Sequence, residues 1–310
     1  MIVNRLIEQA IKCKNHTVVG LDPRIDYVPA YIREEAMSKH KDYSEGVAEA
    51  FYLYNKELID SIYDIVPAVK PQIAFYEQYG IAGLNCFKQT CDYARSKGLV
   101  VIGDVKRGDI GSTAEAYSEA YLGEKEYSLN TDFITVNPYL GTDSLEPFIK
   151  HCNENEKGIF ILVKTSNKSS GELQDLVCNG KTIYEHVADM VVRLGEAYVG
   201  DKGYSFVGAV VGATYREEAA KLRKLMKNNY LLVPGYGAQG GTAEDVVDCF
   251  NEDGLGAIVN SSRGIIAAYK SKEYADRFSD KEFGLAAREA AINMRNAINK
   301  ELEKNNKIAW

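Results

Sequence analysis

Apolar and polar positions fall along this chain in blocks of two kinds. Short, almost unbroken apolar runs rich in β-branched residues recur at HTVVGLD (16–22), VPAVKPQ (66–72), GLVVIGDVK (98–106), DFITVNP (132–138), GIFILVKTS (158–166), FVGAVVGA (206–213), NYLLVPGYG (229–237) and LGAIVNSSRG (255–264). Between them lie longer stretches in which apolar residues return every three or four positions, as in SEGVAEAFYLYNKELIDSIYDI (44–65), TIYEHVADMVVRLGEAYV (182–199) and REEAAKLRKLM (216–226). That spacing predicts amphipathic helices. Strands apolar on both faces belong in a parallel sheet covered by helices. Eight strand-then-helix units predict a closed (β/α)8 TIM barrel of the α/β class, with a doubly wound open sheet as the alternative. The opening stretch MIVNRLIEQAIKCKN (1–15), interrupted by Asn4, Arg5 and Glu8, reads as a helix before the first strand rather than a signal peptide. Residues 281–304 read as the last outer helix, and no repeat or linker divides residues 1–310, so a single domain is expected.

Composition narrows the function classes. With 45% apolar and 26% charged residues the chain can bury a large core. A net charge of −7 and a pI near 5.3 argue against a nucleic-acid partner, while leaving room for a local anion site. No apolar run approaches the roughly 18 residues of a membrane span, so no membrane partner is expected. The cysteines Cys13, Cys86, Cys91, Cys152, Cys178 and Cys249 are scattered without a CxxC pair, which predicts reduced, structural thiols and a cytoplasmic location. His16, His40, His151 and His186 occupy no predicted strand end, so neither a histidine base nor a histidine metal centre is expected. The tyrosine-rich helix at 44–65 and Trp310 read as packing.

In a barrel of this kind the chemistry gathers at the carboxyl ends of the strands. The unusual residues of this chain fall there: Asp22, Lys70, Asp104 with Lys106, Asn137, Lys164 to Asn167, 234–241 and Ser261 to Gly264. The segment VIGDVKRGDI (101–110) crowds Asp104, Lys106, Arg107 and Asp109 together. Asp104 and Lys106 are two apart, which on an extended strand puts both on one face. With Lys70 on the neighbouring strand and Asp109 just beyond, a line of alternating charge becomes possible, one that keeps a lysine protonated between carboxylates. The alternative is an ion-pair cluster that ties strand ends together.

A second signal is VPGYGAQGG (233–241), whose glycines Gly235, Gly237, Gly240 and Gly241 let backbone N–H groups turn toward an anion. The loops after the seventh and eighth strands are this fold's usual phosphate grip. Arg263 in NSSRG (260–264) adds a bidentate clamp. The hydroxyl, amide and backbone groups of LVKTSN (162–167) suit a planar, hydrogen-bonding base, or alternatively cap a helix through Ser166 or Asn167.

In the order and content of these motifs the chain resembles the orotidine 5′-phosphate decarboxylase family. DVKRGDIGST (104–113) is similar to that family's Asp-x-Lys-x-x-Asp signature followed by a threonine. GLDPR (20–24), KPQIAFYE (70–77), TSN (165–167), PGYGAQGG (234–241) and SSRG (261–264) follow in the family's order, so the likeness runs from about residue 20 to 266. The forms KPQIAFYE and KTSNKSSGELQ resemble the longer, bacterial-type branch and account for inserted material after Ser166.

The resemblance implies loss of CO2 from orotidine 5′-monophosphate to give uridine 5′-monophosphate, the last step of pyrimidine nucleotide synthesis, without metal or other cofactor. It implies Lys70, Asp104, Lys106 and Asp109 as a catalytic tetrad in a homodimer whose sites are shared, with Asp109 and Thr113 crossing into the partner's site. Lys106 would stabilise charge at C6 and protonate it, and Asp104 would sit near the substrate carboxylate. Asp22 with Lys70, and Thr113 from the partner, would hold the ribose; Ser166 would read the pyrimidine edge. Pro234 and Gln239 would contact the substrate, Gln239 bridging the closing loop to phosphate and base, and Arg263 would hold the phosphate.

Two other readings remain open on the sequence. One is a Mg2+-dependent sugar-phosphate decarboxylase or aldolase of the same barrel group, which shares the Asp-x-Lys-x-x-Asp core. Lys70 weighs against it, because a cation would face the metal. The other is a non-catalytic nucleotide- or phosphate-binding barrel, whose mark would be loss of a tetrad member.

Overall fold

The computed structural model describes residues 1–237 and 240–310. Eight parallel strands close into a barrel: β1 (Thr17–Leu21), β2 (Ala68–Pro71), β3 (Val100–Arg107), β4 (Phe133–Val136), β5 (Gly158–Lys164), β6 (Ser205–Val211), β7 (Asn229–Val233) and β8 (Ala257–Ser261). Each strand pairs with its neighbours in sequence, and β8 returns to β1 through Thr17 opposite Val259. Every predicted apolar run is therefore a barrel strand. β1, β4, β6, β7 and β8 are buried along their whole length, as strands covered on both faces must be. Inside the barrel the rings of Phe133 and Phe160 stack with centroids 5.0 Å apart.

The outer helices follow from the spacing of their apolar residues. Helix Tyr43–Ile62 starts where the Asp42 carboxylate accepts from the N–H groups of Ser44 and Glu45. Helix Ile183–Gly195 starts at a reciprocal cap between Thr182 and Glu185. Helix Ile2–Cys13 buries one stripe, Ile2, Val3, Leu6, Ile7 and Ala10. It crosses the barrel floor, where Arg5 donates to the carbonyls of Gly98 and Leu99 just before β3. Helix Phe283–Lys304 closes the ring, with Phe283 stacked on Tyr54 at 5.0 Å.

Two departures from a plain barrel shape its mouth. The β3–β4 register shifts between Gly103 and Arg107, and within that bulge Lys106 takes a left-handed φ of +47°. After β5 the inserted segment forms a short helix, Gly171–Gln174, and an antiparallel hairpin of Val177–Cys178 with Lys181–Thr182. All six cysteines are free, and no helix is long and apolar enough to cross a membrane among the described residues.

Candidate active site

The bulge in β3 is the foundation of the site. A regular strand would already place Asp104 and Lys106 on one face; here the chain instead kinks between them, and the left-handed Lys106 folds its side chain back so that Nζ lies 2.5 Å from Asp104 Oδ1. Lys70, from the end of β2, reaches the other oxygen, with Nζ 2.7 Å from Asp104 Oδ2. Lys70 and Asp104 are buried, whereas the Lys106 side chain is 46% exposed and faces the opening. The predicted pairing thus exists, though a bulge rather than simple alternation produces it.

Burial alone would push the Asp104 carboxyl upward; the two ammonium groups outweigh it and hold the carboxyl well below its ordinary 3.8. For Lys70, burial opposes the charged form, and the carboxylates of Asp104 and Asp22 more than compensate, holding it above its ordinary 10.5. The Lys70–Asp104 pair is ionised as built.

These groups line a cavity of about 620 Å³ at the carboxyl ends of the strands, together with Asp22, Ser166, Pro234, Gly235 and Arg263. The opposite wall is apolar, made by Leu162, Val210 and Leu232 from β5, β6 and β7. Asp22 Oδ1 and Asn260 Oδ1 are buried without a hydrogen-bond partner among the described residues, and Arg263 makes no ion pair there. Orphaned polar atoms on a cavity wall are what a polar ligand would satisfy. Two glycines permit the close approaches that shape this wall. A Cβ on Gly20 would lie 1.9 Å from Ser262 Oγ, and one on Gly212 would lie 2.9 Å from Cα and Cβ of Ser166.

Other expected residues fall elsewhere. Asp109 is half-buried outside the cavity of its own chain, its Oδ1 accepting from the Ile110 N–H at 2.8 Å, and Thr113 is exposed on the helix Gly111–Leu122. The N–H groups of Gly237, Gly240 and Gly241 donate to carbonyls within their own loop, so only Gly235 of these glycines lines the cavity. Gln239 lies outside the described residues. Asn137 is exposed and accepts from the Tyr139 N–H, Arg107 turns away to pair with Glu77, and the fully buried Lys164 pairs with Asp175 of the inserted segment.

The sequence reading missed Thr135, Gln72 and Asn260, all of which line the cavity, as does Thr165 of the expected TSN segment. Thr135 and Asn260 carried a signal: each is a polar residue inside an apolar strand, at a position of β4 or β8 that points inward. A second groove of about 670 Å³ lies at the opposite face and is lined by Lys202, Tyr204, Arg223, Lys227, Asn251 and Asp253. Its arginine is taken up by the carbonyls of Met226, Asn229 and Gly256, the bonding of a residue that ties loops together. Among the described residues no three His, Cys, Asp or Glu side chains gather where they could hold a metal ion. The arrangement can place an ammonium donor beside a carboxylate, against an anionic, planar ligand.

Comparison with known proteins gives a consistent picture. The family described as Orotidine 5'-phosphate decarboxylase / HUMPS family matches residues 48–278. The chain is 48% identical over 281 residues to an orotidine 5'-phosphate decarboxylase of Rhodopirellula baltica, covering 90% of this chain and 92% of that one. It is 43% identical over 303 residues to that of Clostridium acetobutylicum, covering 97% and 100%. Among solved structures, OMP decarboxylase of Leishmania donovani superposes with a TM-score of 0.73 at 29% identity, covering 97% of this chain and 98% of that one. A putative orotidine-monophosphate-decarboxylase of Toxoplasma gondii gives 0.76 at 29% identity, with 96% and 98% covered.

Proposed function

The chain belongs to the orotidine 5′-phosphate decarboxylase family, and from that premise we infer how its own residues carry the reaction. It converts orotidine 5′-monophosphate to uridine 5′-monophosphate and CO2, a step of pyrimidine synthesis. The observation that carries the assignment of roles is the buried Asp104 carboxylate clamped between Lys70 at 2.7 Å and Lys106 at 2.5 Å on the wall of the cavity.

The phosphate is held by Arg263 together with Pro234 and Gly235 of the loop after β7, which line the same cavity. Asp22, whose Oδ1 is buried with no hydrogen-bond partner among the described residues, accepts from a ribose hydroxyl beside Lys70. Ser166 reads the pyrimidine edge. The substrate carboxylate then lies near Asp104, and the C6–carboxylate bond breaks with its electron pair left on C6 as CO2 departs. The exposed Lys106 ammonium stabilises that charge and gives C6 its proton, to be reprotonated by water. A divalent ion fits poorly, since the Asp104 carboxylate already has a cation on each oxygen and the Lys70 ammonium also balances the charge of Asp22.

The same reading makes the active unit a cytoplasmic homodimer of single-domain chains. Asp109 and Thr113 lie outside their own cavity and reach the partner's site. In support, the segments after β2, β3 and β4 expose the large apolar side chains Ile81, Ile110, Tyr117, Tyr139 and Leu140. The test of the activity is the ultraviolet spectrum of orotidine monophosphate incubated with purified protein in EDTA. Steady conversion to the uridine spectrum is expected. Tight nucleotide binding without turnover, or turnover only of a sugar phosphate with Mg2+, would overturn the reading.

A further inference from the structure

Thr135, the third residue of β4, is 1% exposed and sits on the cavity wall beside Asp104. Its hydroxyl accepts from two successive backbone N–H groups, Val105 at 3.0 Å and Lys106 at 2.9 Å, and donates to Asp104 Oδ1 at 3.0 Å. A hydroxyl has one proton to give and two lone pairs to offer. All three are in use.

The two N–H groups lie in the stretch where β3 and β4 lose register, between Gly103 and Arg107. A regular ladder would turn successive N–H groups to opposite sides, one to β4 and the next to β2; within the bulge both meet the Thr135 side chain. The same bulge holds Lys106 at a φ of +47°, a conformation that side-chain-bearing residues keep only when their surroundings impose it. The oxygen that Thr135 donates to is the one Lys106 Nζ contacts. One side chain from the neighbouring strand therefore touches the backbone of Lys106 and the carboxylate its ammonium rests on.

We propose that Thr135 is a positioning residue for the decarboxylation, fixing Lys106 relative to Asp104 through the bulge of β3. The inference rests on the assignment of Asp104 and Lys106 to the chemical step. It is specific about which hydroxyl: no other side chain of the described residues bonds both the Lys106 N–H and the Asp104 carboxylate.

Thr135→Val keeps the shape and removes the hydroxyl. A displaced reacting group lowers the rate on the order of a hundredfold per ångström, so kcat should fall by about ten- to a hundredfold. KM for orotidine monophosphate and the affinity for uridine monophosphate should stay within about threefold, because the phosphate, ribose and base contacts are on other strands. Thr135→Ser, which retains Oγ, should bring kcat back to within about threefold of the parent protein. Thermal unfolding checks that Thr135→Val folds, and Thr135→Ala serves in its place if it does not. A folded hydroxyl-free variant with the parent kcat overturns the proposal, as does loss of kcat and nucleotide affinity by one common factor, or failure of serine to rescue. Lys106→Ala is measured alongside: its turnover surviving would overturn the role of the cluster itself, whereas an inactive Lys106→Ala beside a fully active Thr135→Val removes Thr135 alone.

Discussion

Replacing Lys106 by alanine separates chemistry from binding in this site. The change removes a positive charge held 2.5 Å from Asp104 Oδ1, while Lys70 keeps its 2.7 Å contact with the other oxygen. Asp104 is thus not orphaned, and truncating a side chain that is 46% exposed should cost little stability. A unit charge facing the developing carbanion at about 4 Å contributes roughly 4 kcal/mol at an effective dielectric near 20. That is about three decades in rate. Loss of the proton donor comes on top, although both roles belong to one group and do not add independently. The expected result is a kcat lowered by a factor of about 1,000 or more. Uridine monophosphate lacks the C6 carboxylate and finds Arg263, Asp22 and Ser166 untouched, so its dissociation constant should rise less than about tenfold. Single-turnover absorbance with orotidine monophosphate gives the first quantity and titration calorimetry with uridine monophosphate the second. Turnover within tenfold of the parent, or equal loss of turnover and nucleotide affinity, would refute the role assigned to Lys106.

Two further tests address the other end of the ligand and the assembly. Arg263→Ala removes a guanidinium with no ion-pair partner among the described residues; losing a charged hydrogen bond of about 1.5–3 kcal/mol should raise KM about ten- to a hundredfold with a smaller change in kcat, and an unchanged KM would take Arg263 out of the phosphate site. If sites are shared, mixing inactive Lys106→Ala and Asp109→Ala chains under subunit exchange creates dimers with one intact site, and about a quarter of parental activity should return. No recovery after demonstrated exchange would mean that Asp109 serves its own chain.

Much of this was legible in the residues. The strands were readable because parallel, doubly covered strands are apolar on both faces, which sets them apart from the periodic helices. The charged residues of the site were readable because lysine and aspartate are conspicuous at the end of a buried strand. What stayed hidden was local geometry. Nothing in GDVKRG states that β3 shifts register between Gly103 and Arg107, since the group that accepts from the N–H groups of the bulge is a hydroxyl on β4. Likewise Asn137 and Lys164 looked equivalent to Lys70 as polar residues at strand ends. The first caps its own turn, and the second is drawn off by Asp175, a partner supplied by the inserted segment.

The cluster also constrains how activity can depend on pH. Asp104 is held below its ordinary 3.8, so its ionised form contributes stability that is present above that value and lost as pH falls through the folded one. Lys70 is held above its ordinary 10.5, so its contribution is complete below that value and lost as pH rises through the folded one. Each group keeps the other charged, and neither changes protonation across the neutral range. The array that faces the substrate is therefore fixed in charge before binding, as preorganised electrostatic catalysis requires. It follows that kcat should carry no ionisation from either group between pH 5 and 9, and that limbs of kcat/KM in that interval belong to the substrate phosphate or to other residues. The measurement is the pH profile of kcat/KM for the parent protein and for Lys70→Arg, which keeps the charge. A limb near neutrality that moves when Lys70 is changed would mean that the pair titrates as the enzyme works, and the claim of a permanently charged array would fail.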